Sequence, residues 1–555
     1  MTRRRAHRGG RTSAVAVALV AVTAFGLTAC GSSSDGEGAT TSSTEAPATG
    51  STLEPEGVAE DGGNLVIGIT AESQGWNPAI NQWADAGNFV GSSFLEPLMT
   101  FKADGTTEPF LAESVTPEPG SEFTVWTIKL RPGITFHDGT PLDAEAAAKC
   151  LEFTYLDPSS LTRLANGDYI SSVEVVDDLT VKVTTSIGWS GFPGSLAAPA
   201  GYMMAPAMLD SADKGAKEPI GTGPFRFESW SPDEKLQVVR YDDYWGEPAH
   251  LDGIEFQVVK DANARNSLLE TGTLDAMTTF QADDIDRLSA DYEVIRDFNS
   301  EKTYVMLNAG TPPFDNANAR KALAHATNRE ALVERLGPDV VLSDSPTVGG
   351  TTWEVPDDEA GYVDFDTEAA RADVAAYLAE TGESTLEFSL AGVATLDEQE
   401  LLTVLQSQWA DVGIKANIES FDQTAYVAQM VTGGYQAAYW RSYSYLDPDI
   451  NNTFWHSDNI APMGQLSLNF SRWSTPLIDD ALTAARLTDN VPARQKVYSE
   501  VVKLRNEAAI DIWLFNSPVA LIANDDVKGL NRFRTQPFAN YLPKPWWNEV
   551  WLQRA

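Results

Sequence analysis

Cationic residues are scarce: 39 Lys and Arg stand against 79 Asp and Glu in 555 residues. Binding a polyphosphate requires a basic face whose cations displace counterions, so nucleic acid is excluded as a natural partner. Cysteine is scarcer still, at two, and one possible bridge cannot build a disulfide scaffold. The five His are scattered; His137, in Phe136-His137-Asp138-Gly139, reads as a turn residue bonded to its neighbours, and no metal site or cofactor is expected. Gly-x-Ser-x-Gly, His-Glu-x-x-His, Cys-x-x-Cys and a phosphate-cradling Gly-rich loop are all missing, which removes the common serine esterases and zinc peptidases. No repeat of fixed period occurs, and no segment after residue 30 is apolar enough to span a membrane.

What is present argues for a folded acidic body. Hydrophobic residues make up 43% and Trp numbers 15, too much apolar surface for a disordered chain. The length calls for two or three packed lobes.

The basic opening MTRRRAHRGGR and the short apolar run from Ala14 to Gly26 read as a secretion signal, with the general secretory route favoured over a twin-arginine one. Leu27-Thr28-Ala29-Cys30, followed by Gly31 and Ser, resembles the bacterial lipobox, so Cys30 is the expected lipidation site and mature N-terminus. Two or three acyl chains on such a Cys make a durable anchor where one is marginal. Removing residues 1–29 takes away five Arg, leaving 34 basic residues against 79 acidic ones. Cys150, left without a partner, is expected to be a buried small hydrophobe. Residues 31–62 hold no aromatic, Lys or Arg and read as a flexible tether.

The pattern changes at Asn64-Leu65-Val66-Ile67-Gly68-Ile69-Thr70, an expected first strand. Alternation predicts further strands at Trp126, Ile128 and Leu130, at Leu179, Val181 and Val183, and at Ile254, Phe256 and Val258. Thr140-Pro141 predicts a helix start into DAEAAAKCLEF, and Asp261 another that stops at Gly272. The C-terminal half is richer in helix: 367–379, 398–412, 475–487 and 492–508. Leu401, Leu402, Leu405 and Trp409 share one helical face, Gly413 stops that helix, and Ile414 to Ile418 alternates as a strand. The fold class is α/β.

Several segments, in order, resemble the family 5 extracellular solute-binding proteins of ABC importers, the group containing dipeptide, oligopeptide and nickel binders. They are Phe94-Leu95-Glu96-Pro97-Leu98 with GTTEPFLAESVTPEPGSEFTVWTIKLRPGITFHDGTPLDAE; Gly221-Thr222-Gly223-Pro224-Phe225-Arg226-Phe227 with Tyr244-Trp245-Gly246; Asn308 and Pro313-Phe314-Asp315-Asn316 with ARKALAHATNREALV; and LQSQWADVGIKANIES running on to Trp440 and Asp447-Pro448. Asn328 stands where the family usually has Asp. The likeness covers roughly residues 64–550.

The resemblance implies a two-lobed periplasmic-binding-protein fold: a signal peptide over 1–29, a tether over 30–62, a first lobe over 63–299 with an inserted subdomain at about 91–215, a second lobe over 300–510, and a segment 511–555 returning to the first. It further implies a monomer, lipid-anchored outside the cytoplasmic membrane, that encloses a small solute by hinge closure, makes and breaks no bond, and delivers it to a membrane permease. Three segments are candidates for ligand contact: Gln74, Trp76 and Asn77 after the first strand; Trp189; and Trp440, Arg441, Tyr443, Tyr445 and Asp447. Peptide-binding members resemble one another in an acid shortly after the loop Trp that meets the peptide ammonium, and this chain has none before Asp447. Peptide is the leading ligand class, with a sugar stacked on Trp and Tyr or an anion at Arg441 close behind. A secreted glycosidase and a surface scaffold are the readings from other classes.

Overall fold

The computed structural model describes residues 58–553 except 82, 84, 103, 167–168, 338–339, 444–445 and 531–544. The expected signal peptide, Cys30 and most of the expected tether lie outside the described residues. The tether's last two positions are held on the folded body: Gly62 N donates to His250 O at 2.8 Å, and Asp61 meets His250 Nδ1 at 2.8 Å.

An eleven-stranded sheet runs through the body. From one edge its order is Ile414–Phe421, Leu386–Val393, Ala437–Tyr443, Glu293–Leu307, Asp511–Ala523, Ala276–Thr279, Asn64–Ile69, Gly253–Val258, Lys235–Arg240 and Phe225–Ser231, with the short strand Val341–Leu342 beside Asp511–Ala523. Two neighbouring strands, Glu293–Leu307 and Asp511–Ala523, are 15 and 13 residues long, against a usual length of about 5–6. They pair antiparallel in two stretches, Glu293 to Asp297 with Val519 to Ala523 and Glu301 to Met306 with Asp511 to Ser517, and the register shifts between Asp297 and Glu301. On one side of that shift they adjoin Ala276–Thr279, and on the other Ala437–Tyr443. They are the crossing strands of a two-lobed molecule.

Strand directions then fix where the cleft lies. Asn64–Ile69 runs parallel to Gly253–Val258 and Ala276–Thr279, and all three run with Glu293–Leu307 toward the crossing, because Ala276–Thr279 and Glu293–Leu307 are both antiparallel to Asp511–Ala523. In the second lobe Ala437–Tyr443 is antiparallel to Glu293–Leu307, and Leu386–Val393 and Ile414–Phe421 are parallel to it, so these three run back toward the crossing. The carboxyl ends of both parallel sets therefore converge on the crossing from opposite sides. Ligands of open α/β sheets bind outside such ends.

Each lobe has its own core. Leu65, Ile67, Phe89, Phe256, Val519 and Leu521 belong to the first, and Val305, Phe314, Leu390, Leu402, Trp409 and Ile512 to the second; a smaller cluster of Trp353, Trp455, Ile478 and Tyr498 packs the helices Pro476–Ala485 and Val491–Glu507. The first core continues into a four-stranded antiparallel sheet, Ala112–Pro117, Val125–Leu130, Thr180–Thr185 and Ile170–Asp177. Trp126, Ile128, Leu130, Val181 and Val183 are buried there in the expected alternation, under the helix Ala144–Leu156. That helix starts later than predicted: Asp143 caps it by accepting from Ala146 N, while the Thr140 hydroxyl turns back to Asp138 at 2.6 Å. Cys150 on this helix is fully buried and its thiol is pushed up to about 11 by desolvation.

Local chemistry accounts for the other boundaries. Asp261, Thr475 and Asn490 accept from helical amides as N-caps, and the helix Thr367–Thr381 ends at Gly382, whose φ of 76° suits a residue without Cβ. Among the described residues no helix is long and apolar enough to cross a membrane.

Candidate functional site: the interlobe cleft

The tightest polar contact between the lobes centres on Asp449. Its carboxylate accepts from Trp189 Nε1 at 2.7 Å and from Arg486 Nε and Nη2 at 2.8 and 2.9 Å, and Tyr498 OH lies at 3.5 Å. Trp189 comes from the loop after the subdomain strand Thr180–Thr185; Asp449 and Arg486 come from the second lobe. Asp449 is 5% exposed and Arg486 likewise. Burial alone would raise the Asp449 pKa; the charge and hydrogen bonds of Arg486 more than offset it and hold it below the ordinary value. Next to it Asp447 accepts twice from Arg494, at 2.7 and 3.1 Å, and the guanidinium lies 4.9 Å from the Trp353 ring centre.

The two lobes approach here because glycine permits it. A Cβ on Gly191 would stand 2.6 Å from Asp449 Cβ, and one on Gly194 2.9 Å from Asp447 Cβ. Ser190 N and Oγ donate to the carbonyls of Arg486 and Ala485 at 2.9 and 3.0 Å. A second seam lies nearby, where Thr352 N donates to Asp104 O and Trp353 Nε1 to Gly105 O at 2.9 and 3.0 Å. Between the lobes remains a cavity of about 170 Å³, with Thr162, Trp189, Ser195, Leu446, Asp447 and Asp449 in its walls. A drug-sized ligand needs about 300–1,000 Å³, more than this gap holds.

The predicted contact residues do not stand together. Gln74 is exposed. Trp76 and Asn77 are buried, Trp76 at 1% exposure in an aromatic cage of Trp83, Phe94 and Trp230. Asn77 caps a turn, accepting from Ala79 N and donating to Lys214 O at 2.9 and 2.6 Å. Trp189 and Asp447 line the small cavity but spend their polar atoms on other residues. Trp440 is half-buried against Tyr426 and Phe470, with ring centres at 5.5 and 5.9 Å. Arg441 is exposed at the carboxyl end of Ala437–Tyr443. Tyr443 pairs through its backbone with Glu301; Tyr445 lies outside the described residues.

Sequence reasoning missed Asp449, Arg486, Arg494 and Glu398. The first three carried no signal, since Arg486 and Asp449 are 37 positions apart and meet only in the fold. Glu398 begins the expected helix 398–412 and lies in the first turn of the observed helix Leu396–Ala410. It is half-buried, accepts from Val393 N, and burial pushes its carboxyl up to about 6. Its position after the strand Leu386–Val393 was the available clue.

Two α/β lobes whose strand ends face each other define a two-lobed binding-protein fold. This chain belongs to the family described as bacterial extracellular solute-binding proteins, family 5, whose middle-region sequence pattern matches residues 106–470. It is therefore an extracytoplasmic solute-binding protein. It is 28% identical over 470 residues to the glutathione-binding protein GsiB of Pectobacterium atrosepticum, covering 81% of this chain and 87% of that one. To the dipeptide-binding protein of Escherichia coli it is 25% identical over 498 residues, 84% of this chain and 91% of that one. Among solved structures, the periplasmic binding protein DppA of Helicobacter pylori, in complex with the peptide STSA, superimposes with a TM-score of 0.74 at 21% identity, over 89% of this chain and 99% of that one. AgaA of A. tumefaciens R10, in complex with agropinic acid, gives 0.75 at 24% identity over 89% and 99%.

Proposed function

We propose that this chain is the substrate-binding lipoprotein of an ABC importer, capturing a small peptide between its lobes and presenting the closed form to a membrane permease. The observation that carries this reading is the topology: two sets of parallel strands direct their carboxyl ends at one another across the crossing strands. Relatives named for glutathione and dipeptide binding support the ligand class. In this reading the first lobe covers 63–299 with a subdomain at about 91–215, the second covers 300–510, and the hinge falls at the register shift between Asp297 and Glu301. The monomer is tethered through lipid on Cys30 at the outer face of the cytoplasmic membrane, and the solute leaves chemically unaltered.

The missing acid in the loop after Trp440 and the presence of Arg441 favour, as a second reading, a solute with an exposed anionic group. The deciding experiment is mass spectrometry of solute co-purified with the mature protein, together with thermal unfolding across peptide, sugar and organic-anion sets. A binder gains RT ln(1 + [L]/Kd) from its ligand. Stabilisation by peptides alone supports the first reading, stabilisation by other anions the second, and turnover of any bound molecule removes both. Mass and labelled-fatty-acid incorporation, lost in Cys30→Ala, test the anchor.

A further inference from the structure

Two seams join the subdomain to the second lobe, one at Trp189 and one at Trp353, and a single side chain of the second lobe stands between them. Arg494 lies near the start of the helix Val491–Glu507. Its two terminal nitrogens bond the two oxygens of Asp447 at 3.1 and 2.7 Å, and its guanidinium carbon lies over the Trp353 ring, 4.9 Å from the centre. Asp447 Oδ1 accepts in addition from Asp449 N at 2.9 Å. An unbroken line of contacts results, from Gly105 O through Trp353, Arg494, Asp447 and Asp449 to Trp189 Nε1. Its two ends belong to the first lobe and its middle to the second.

The middle of the line is rigid. Arg494, Trp353 and Asp449 are buried. Tyr498, one turn along the same helix face, packs edge-on against Trp353 at 6.3 Å between ring centres. The far end of the helix is fastened to the crossing strand Asp511–Ala523: Arg505 bonds Asp511 at 2.7 and 3.0 Å, and Asn506 Oδ1 accepts from Trp513 Nε1 at 3.1 Å. Among the described residues the buried Arg494 Nε meets no acceptor, so the guanidinium is oriented to serve Asp447 and Trp353 rather than its own hydrogen bonding. One rigid plane thus sets both the carboxylate that holds the Asp449 backbone and the indole that reaches Gly105.

Resting on the hinge-closure reading above, we propose that Arg494 is a positioning residue for closure: it orients the acceptor of one seam and the donor of the other, so that the two form and part together. Were the Trp353 seam to open alone, the indole N–H would lose Gly105 O while Arg494 still held the ring in place, and the ring could seek another acceptor only by giving up the stack. Were the Trp189 seam to open alone, Asp449 would lose its donor while Asp447 still held its backbone. Half-closed forms therefore leave polar groups unpaired, and the lobes close in one step.

The test is single-molecule energy transfer in the unlipidated Cys30→Ala protein, between dyes on Val176→Cys in the subdomain and Leu477→Cys in the second lobe, both exposed positions; Cys150 is buried. Two wedges on the first lobe open the seams one at a time. Gly191→Ala puts a methyl 2.6 Å from Asp449 Cβ, and Gly105→Ala one 3.1 Å from Trp353 Cδ1; the strain of a side chain at the Gly105 φ of 77° is common to open and closed forms. With Arg494 in place, either wedge is expected to raise the ratio of open to closed about 5- to 150-fold at the same two transfer efficiencies. In Arg494→Lys, which keeps a charge beside Asp447 and loses the planar stack, each wedge is expected to add a third efficiency, that of a form held by the other seam alone. A purely structural Arg494 would lower the unfolding midpoint of that variant and add no third efficiency. Should Arg494→Lys not fold, Asp447→Asn with Arg494→Gln removes the same plane without leaving a charge unpaired. A third efficiency with Arg494 in place, or only two without it, overturns the coupling and leaves hinge closure standing. One efficiency that no wedge moves overturns both.

Discussion

Trp189 Nε1 donates to Asp449 Oδ2 at 2.7 Å across 260 positions of sequence, and the bond fastens the subdomain of the first lobe to the second. Asp449 keeps its two Arg486 contacts without it. Trp189→Phe therefore removes one charged hydrogen bond and part of a buried ring, and is expected to lower unfolding free energy by about 2–4 kcal/mol. Denaturant unfolding measures the loss, and small-angle scattering of the ligand-free protein is expected to show a more open form. No change in either would assign the bond no part in holding the lobes together.

The Asp449–Arg486 pair is costly to halve. Arg486→Met leaves the buried carboxylate with the neutral donors Trp189, Asn452 and Tyr498 and only the neighbouring charge of Arg494, and is expected to cost about 3–5 kcal/mol, while Asp449→Asn together with Arg486→Met recovers much of that. The pH dependence has a definite sign. Because the folded Asp449 pKa is lowered, the pair contributes fully above the unfolded carboxyl pKa and its contribution is lost as pH falls through the folded value. A double-mutant cycle repeated in acid and at neutrality checks both statements.

The backbone architecture was legible because it is written in local pattern. Alternation marked Val125–Leu130 and Gly253–Val258, and Asp261 and Gly382 marked helix ends by their own hydrogen bonds and φ. The site was less legible, since its residues are defined by partners far along the chain. Trp76 and Asn77 looked like a ligand loop because they follow the first strand; only the fold brings Trp230 and Lys214 against them. Glu398 was one acid among 79, and nothing local distinguished it until the strand ends were aligned. Thr140-Pro141 misled by imitating a helix start that Asp143 in fact supplies.

Glu96 and His137 are expected to tilt the stability curve in opposite directions. Glu96 accepts from Thr222, Tyr244 and Trp245 with no ion-pair partner among the described residues, and burial pushes its carboxyl to about 7 from 4.5. Its folded state holds the proton more tightly, so stability falls as pH rises between 4.5 and about 7, by roughly 3 kcal/mol in all. His137, enclosed between Gly221 and Gly223, is pushed down to about 4 by burial. Its folded state resists the proton, so stability is lost as pH falls from 6.5 toward 4, by a similar amount. Glu96→Gln should therefore steepen the loss of stability on the acid side, and His137→Gln should flatten it. Unfolding midpoints measured across this pH range for both variants decide; parallel curves would contradict both assignments.

Gly191 offers a way to open the cleft without removing a polar group. Its φ of −78° is ordinary for any residue, so Gly191→Ala carries no backbone strain, and its effect comes from the added methyl, 2.6 Å from Asp449 Cβ in the closed interface. The methyl must be accommodated by parting the subdomain from the second lobe, at a cost of about 1–3 kcal/mol to the closed form alone. The first-lobe core is untouched, so the unfolding free energy should fall by no more than this cost. Solute affinity should fall about 5- to 150-fold, because the ligand must then restore the closed form from its own binding energy. A fall in affinity with a modestly lower unfolding midpoint and a larger radius of gyration is the expected combination. Unchanged affinity would mean that the Gly191–Asp449 approach is no part of the closure the ligand drives.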